Sequence, residues 1–191
     1  MNPGVSAVLD RLYQADAAQP EAGLGRDQRT RNVDRDTGRF LRLLVMTMHA
    51  RRILEIGSSN AVSTIWLASA ASELQGEVIG TEILPARAEE ANANLSEAGL
   101  SGVATVFVGD AREIVQSFEG LFDFVFIDAE KEDYADHFHA VVDRVRERGV
   151  VLADNVISHD LSTYQRVLAA RDDIETVTLP IGRGLELAVK R

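Results

Sequence analysis

From residue 51 onward, short and almost unbroken apolar runs alternate with longer stretches whose apolar residues recur at helical spacing. The runs are RRILEIG (51–57), EVIGTE (77–82), ATVFVGD (104–110), FDFVFID (122–128) and GVVLAD (149–154). Each is too short for a helix and too apolar for a half-exposed strand, so it predicts a strand buried on both faces. STIWLASAASEL (63–74) and PARAEEANANLSEAGL (85–100) read as helices, with Pro85 in a first turn and Gly99 at a stop. Strands of this kind separated by helices predict a parallel sheet covered on both sides. The sequence closes with IETVTLP, the turn IGRG and LELAVKR, which predicts an antiparallel hairpin. Ahead of the alternation, residues 5–18 predict a short amphipathic helix and 38–49 another. Residues 19–37 are polar, mixed in charge and poor in large apolar groups, which predicts a mobile segment or lid and not a core element. The expected organisation is an N-terminal helix and lid over 1–37 and one α/β domain over 38–191.

Composition narrows the classes of function. The 191 residues suffice for one domain with a sizeable core. No apolar run approaches the roughly 20 residues of a membrane helix, and the first residues lack the basic start and apolar stretch of a secretory signal. Cysteine is absent, which excludes disulfides, thiolate metal sites and a cysteine nucleophile, and suits a cytoplasmic protein. The net charge of −10 disfavours a nucleic-acid partner and leaves a small molecule as the expected one.

The polar residues that interrupt the apolar runs fall at their carboxyl ends: Glu55 and Gly57, Glu82, Gly109 and Asp110, Asp128, then Asp154 and Asn155. In an open parallel sheet this rim is where ligands bind. Asp and Gly commonly start turns, so any one of these has a bland explanation; five strands delivering them together point to a site. The first loop, GSSNAVS (57–63), lacks the G-x-G-x-x-G spacing of a dinucleotide site, and no P-loop is present. One glycine with hydroxyl donors suits a ligand without phosphates, and Glu82 ends a second strand where an acid can accept ribose hydroxyls. An adenosine with a cationic amino-acid tail, such as S-adenosylmethionine, fits that acidic rim.

The segments LEIGSSNAVSTIWLA, GTE, VFVGDARE, FDFVFIDAEKEDY and GVVLADNV closely resemble the metal-dependent O-methyltransferases, the family of the catechol and caffeoyl-CoA enzymes, from about Asn32-Val33 to the last residue. The resemblance implies a Rossmann-like, doubly wound, seven-stranded and mostly parallel sheet with its last strand pair reversed, a homodimer, and S-adenosylmethionine as methyl donor. It assigns the cofactor site to Val33, Glu55, Gly57, Ser58, Ser63, Glu82, Gly109, Asp110, Ala111, Asp128 and Tyr134. It assigns Mg²⁺ or another divalent cation such as Mn²⁺ or Ca²⁺ to Asp128, Asp154 and Asn155, whose oxygens are hard ligands. Lys131 matches the catalytic lysine that takes the acceptor's proton. Glu186 matches a glutamate that holds the second hydroxyl of a catechol, implying a vicinal diol acceptor. His49, His137, His139 and His159 show no metal-ligand arrangement with these acids, and Trp66 reads as core. Two departures stand out. Asn60-Ala61-Val62 replaces a Gly-Tyr pattern, and ISHDLSTYQ (157–165) differs from the plant substrate loops, which argues against a CoA thioester acceptor. Arg26, Arg29, Arg31, Arg35 and Arg39 leave open a tRNA hydroxyuridine O-methyltransferase, and a non-catalytic cofactor binder is the third reading.

Overall fold

The computed structural model describes residues 1–19, 23, 30 and 32–191. Much of the expected lid therefore lies outside the described residues. In chain order the elements are α1 (Pro3–Ala18), α2 (Arg35–Met48), β1 (Arg52–Ile56), α3 (Val62–Glu73), β2 (Glu77–Glu82), α4 (Pro85–Glu97), β3 (Ala104–Val108), α5 (Ala111–Gln116), β4 (Phe122–Ile127), α6 (Tyr134–Val141), β5 (Val145–Ala153), α7 (Ser162–Ala169), β6 (Ile174–Leu179) and β7 (Leu185–Lys190).

The seven strands form one sheet in the order β3-β2-β1-β4-β5-β7-β6. β1 through β5 pair in parallel, and β7 runs antiparallel to both of its neighbours. The expected fold class holds, with one correction. The reversal belongs to β7 alone, which inserts between β5 and β6, so β6 lies at the edge and keeps the common direction. Strand order turns back between β1 and β4, the switch point where an α/β sheet opens a crevice.

The alternation of strand side chains sorts the core into two layers. Ile53, Phe124, Phe126, Val150, Leu152 and Leu185 face the layer that carries α1 to α4. Leu54, Ile56, Val125, Ile127, Val151, Ala153 and Ala188 face α5 to α7. α3 is apolar all round because it is covered all round: Val62 through Ala71 are buried, with the sheet on one side and α2 and α1 on the other. Trp66 is core as expected, and its indole Nε1 donates to the Tyr13 hydroxyl of α1 at 3.1 Å.

Local chemistry accounts for the element ends. Asp34 caps α2 by accepting from the Thr37 N–H at 2.8 Å, which starts the helix three residues earlier than the apolar pattern alone suggests. The second half of ISHDLSTYQ forms α7, where apolar Tyr164 and Leu168 recur at helical spacing and are buried.

Candidate active site

A cleft of about 790 Å³ opens at the carboxyl ends of β1 to β5, within the size range of small-ligand sites. Gly57 makes this geometry possible at the switch point. Its φ is +91°, and a Cβ on it would overlap the backbone carbonyl of Asp128, so only glycine lets the ends of β1 and β4 come this close.

Of the residues assigned to the cofactor, Val33, Gly57, Ser58, Ser63, Glu82, Gly109, Asp110, Ala111 and Asp128 line the cleft. Glu82 joins two loops: one carboxylate oxygen accepts from Ser59 N and the other from Leu84 N, each at 2.9 Å. Its remaining lone pairs are available to ligand hydroxyls. Asp110 caps α5 through the Arg112 N–H at 2.8 Å and is forked by the Arg112 guanidinium, whose hydrogen bonds hold its carboxyl below the usual range. Gly109 and Ala111 flank it, and the Gly109 N–H ties this turn to the Glu82 carbonyl at 2.9 Å.

Glu55 does not line the cleft. Strand alternation points it away from the apolar Leu54 and Ile56 and toward α3, where it is fully buried. Ser58 Oγ donates to it at 2.6 Å and Thr64 Oγ1 donates to the same oxygen. Burial pushes its carboxyl up despite these donors and the Ser63 hydroxyl. Glu55 therefore reaches the site only through the loop it anchors.

The other end of the cleft gathers Asp128, Lys131, Asp154 and Asn155. Asp128 ends β4 and its Oδ1 accepts from Lys131 Nζ and Asn155 Nδ2, both at 2.9 Å. Lys131 opens a 3₁₀ turn (Lys131–Asp133) and also donates to the Ala129 carbonyl at 3.0 Å and the Tyr134 hydroxyl at 2.7 Å. Asn155 has φ +69°, a conformation asparagine tolerates better than most residues, and its N–H donates to Asp154 Oδ1 at 2.7 Å. Burial, followed by the negative charge of Asp128, raises the Asp154 carboxyl to about 7.

This donor set fits a hard divalent cation. Two adjacent carboxylates, one of them lifted by burial and then by its neighbour's charge, are an arrangement a cation relieves, and an amide adjoins them. Among the described residues no three side chains drawn from His, Cys, Asp and Glu gather as a metal site, so the third protein ligand would be the Asn155 amide oxygen. Tyr134 lies behind the cleft. It is fully buried in edge-to-face contact with Tyr164, at 5.8 Å between ring centroids, and it reaches the site through Lys131.

Glu186 is not brought to the site, contrary to the sequence reading. On β7, Leu185 and Leu187 face the α1–α4 layer, so Glu186 turns with Ala188 to the opposite face. There it is buried and accepts from Thr178 Oγ1 at 2.6 Å, from Thr176 Oγ1, and from Gln165 Nε2 of α7 at 3.3 Å. Sequence reasoning missed other lining residues: Asp34, Arg87, Arg112, His137, His159 and Arg183. Only their neighbourhood to loops that carry the assigned residues could have flagged them. Of the five arginines considered for RNA, Arg26, Arg29 and Arg31 lie outside the described residues, while Arg35 and Arg39 pair with Asp10 at 2.6 Å and Asp36 at 2.9 Å.

Comparison with known proteins agrees with this architecture. A sequence profile described as O-methyltransferase matches residues 19–191. The catechol O-methyltransferase of Mycobacterium tuberculosis is 36% identical over 180 residues, covering 92% of this chain and 79% of the relative. The crystal structure of the Bacillus cereus O-methyltransferase with SAH superposes with a TM-score of 0.84 at 29% identity, covering 97% of this chain and 91% of that one. TomG of Streptomyces achromogenes, an O-methyltransferase solved with SAM, gives 0.81 at 30% identity over 94% and 88% of the two chains. With its seven-stranded sheet, its switch-point cleft and a match that runs through nearly the whole sequence, the chain belongs to the O-methyltransferase family.

Proposed function

We propose that this chain transfers the methyl group of S-adenosylmethionine, with the help of a divalent cation, to a hydroxyl of a small acceptor bearing two adjacent hydroxyls. The observation that carries the reading is the convergence of Asp128, Asp154, Asn155 and Lys131 at one end of a cleft whose other end presents Glu82. The SAH- and SAM-bound structures support the donor, and the catechol O-methyltransferase relative supports the diol.

S-adenosylmethionine supplies an electrophilic methyl group on a sulfonium. A cation held by Asp128, Asp154 and Asn155 supplies Lewis acidity and a template for the acceptor oxygens. Glu82 accepts hydroxyl donors and keeps the first two loops in register. Lys131 handles the proton. As an ammonium it donates to Asp128, Ala129 and Tyr134 at once. As the neutral amine it keeps two N–H donors for two of those oxygens and turns its lone pair to the acceptor hydroxyl, whose proton it takes as the methyl moves to oxygen. The two oxygens that stay bonded hold Nζ in place through this exchange, so the chain's contribution is alignment and charge placement.

The test is methyl transfer to a panel of catechols and monophenols with Mg²⁺ or with EDTA. Activity is expected only with the cation, with diols favoured by at least about tenfold in kcat/KM, some 1.4 kcal/mol. Equal rates in EDTA sink the metal, and equal rates for the two acceptor types sink the diol.

A further inference from the structure

We propose that Arg183 makes this site select acceptors that carry a carboxylate in addition to their hydroxyls. The inference rests on the proposed acceptor chemistry and names its class more narrowly.

Arg183 sits in the β6–β7 turn and lines the cleft on the wall that also carries Asn155 and His159. The turn is held firmly. Its Arg183 carbonyl accepts from the N–H groups of Ile157 and Ser158, both at 3.1 Å, and the Gly184 carbonyl accepts from Val156 N at 3.0 Å. Gly184, at φ +94°, presses on Ile157 so closely that a Cβ would lie 2.6 Å from the Ile157 Cβ. The three bonds and this contact bind the turn to the segment that directly follows Asp154 and Asn155. The root of the Arg183 side chain is thereby fixed relative to the acidic end of the cleft.

Its charge is not paired among the described residues. Lys131 is paired with Asp128 at 2.9 Å and Arg112 with Asp110 at 2.5 Å, and Arg87 reaches Ser59 Oγ at 3.4 Å. Arg183 makes no side-chain hydrogen bond or ion pair among the described residues. Two carboxylates share its wall, Asp34, which accepts from Thr37 N at 2.8 Å, and Asp160, which accepts from Ser162 N at 3.0 Å, and neither forms an ion pair with Arg183. An exposed arginine on a surface turn needs no partner, but this one overlooks a cleft rich in acids, which would repel an anionic acceptor without it. On this proposal an acceptor with its hydroxyls at Asp154, Asn155 and Lys131 lays its remainder along the cleft lining formed by His159, Asp160 and Arg183. A carboxylate there meets a guanidinium, whose planar fork matches it with two parallel N–H donors.

The experiment compares 3,4-dihydroxybenzoate with unsubstituted catechol in wild type, Arg183→Ala and Arg183→Lys, with Mg²⁺ and S-adenosylmethionine. The readout is the ratio of kcat/KM for the two acceptors within each protein. Wild type is expected to favour the carboxylated diol by about tenfold or more through KM. Arg183→Ala should bring the ratio near one, and Arg183→Lys should keep a fraction of it. A wild-type ratio near one, or a ratio that survives in Arg183→Ala, overturns the proposal. Calorimetric binding of both diols to each protein with S-adenosylhomocysteine separates it from the broader reading. If neither diol is methylated but 3,4-dihydroxybenzoate binds wild type more tightly than Arg183→Ala, the anion site stands and the diol chemistry falls. If it binds the two proteins alike, the anion site falls as well.

Discussion

Replacing Glu82 by Gln tests how the cleft holds its ligand, because the change keeps the shape and removes the charge. Glu82 is 8% exposed, and each of its oxygens accepts one backbone N–H, from Ser59 and from Leu84, at 2.9 Å. An amide has one oxygen. Whichever way it turns, its NH₂ faces one of these N–H groups, so one charge-assisted bond of about 1.5–3 kcal/mol is lost and a donor is left unmatched. We expect stability to fall by about that amount. At roughly 2–4 °C per kcal/mol for a chain of this size, Tm should drop by about 3–12 °C. If the same oxygens accept the ribose hydroxyls, as proposed, the lost charge should weaken S-adenosylhomocysteine by about 1–3 kcal/mol, or some 5- to 150-fold in Kd. Urea unfolding measures the first effect and titration calorimetry the second. A lowered Tm with Kd unchanged within twofold would falsify the ribose role and leave Glu82 as a loop clamp only.

Gly57→Ala must place a Cβ against the Asp128 carbonyl at positive φ; it should cost about 2–4 kcal/mol by thermal or urea unfolding and weaken cofactor binding, and a variant as stable as wild type refutes the close approach. Ala61 precedes α3 at φ +73° with no side-chain cap and with its methyl fully buried, so in Ala61→Gly relief of left-handed strain of about 1 kcal/mol offsets loss of a buried methyl of about 0.8 kcal/mol; the variant should unfold within about 0.5 kcal/mol of wild type in the same assay, and a loss above about 1.5 kcal/mol refutes the strain. Burial lifts the Asp123 carboxyl, but the Arg52 N–H, the Arg146 guanidinium and the Arg51 N–H outweigh it and hold it below the usual range. A depressed folded pKa gives stability that is present above the unfolded value of about 4 and is lost as pH falls through the folded one. The advantage of wild type over Asp123→Asn in urea midpoint should therefore shrink as pH is lowered below about 4, and a constant advantage contradicts the assignment.

The parts of the molecule governed by local pattern could be read from the sequence. Apolar runs such as FDFVFI gave the buried strands, and the polar residues that end them gave the rim, because both depend on a residue and its near neighbours. What failed depended on the parity and pairing of strands. Glu186 sits in a sequence context that looks right for the acceptor pocket, yet its place opposite Ala153 on β5 and Thr178 on β6 decides which face it takes, and that register is set by partners far along the chain. Glu55, one residue out of phase with Ile56, lies off the cleft lining by strand alternation. Arg183 was invisible because its meaning comes from hydrogen bonds to Ile157 and Ser158, which bring together residues separated by a helix and a strand. The insertion of β7 between β5 and β6 was likewise hidden, since a hairpin read from sequence does not say which of its strands docks on the sheet.

That insertion bears on how the molecule is made. As the chain leaves the ribosome, the parallel strands that carry Gly57, Glu82 and Asp128 can associate in the order in which they appear. β5 then waits with one edge bare, and β6 emerges with nothing to pair with, because the strand that belongs between them is synthesised after both. The loop bearing Asp154 and Asn155 and the turn bearing Arg183 acquire their shared wall only when β7 slides into that gap. A nascent or truncated chain lacking 185–190 would thus present a half-assembled cleft beside an open β edge, a ready template for another strand and a natural point at which quality control could recognise an unfinished copy.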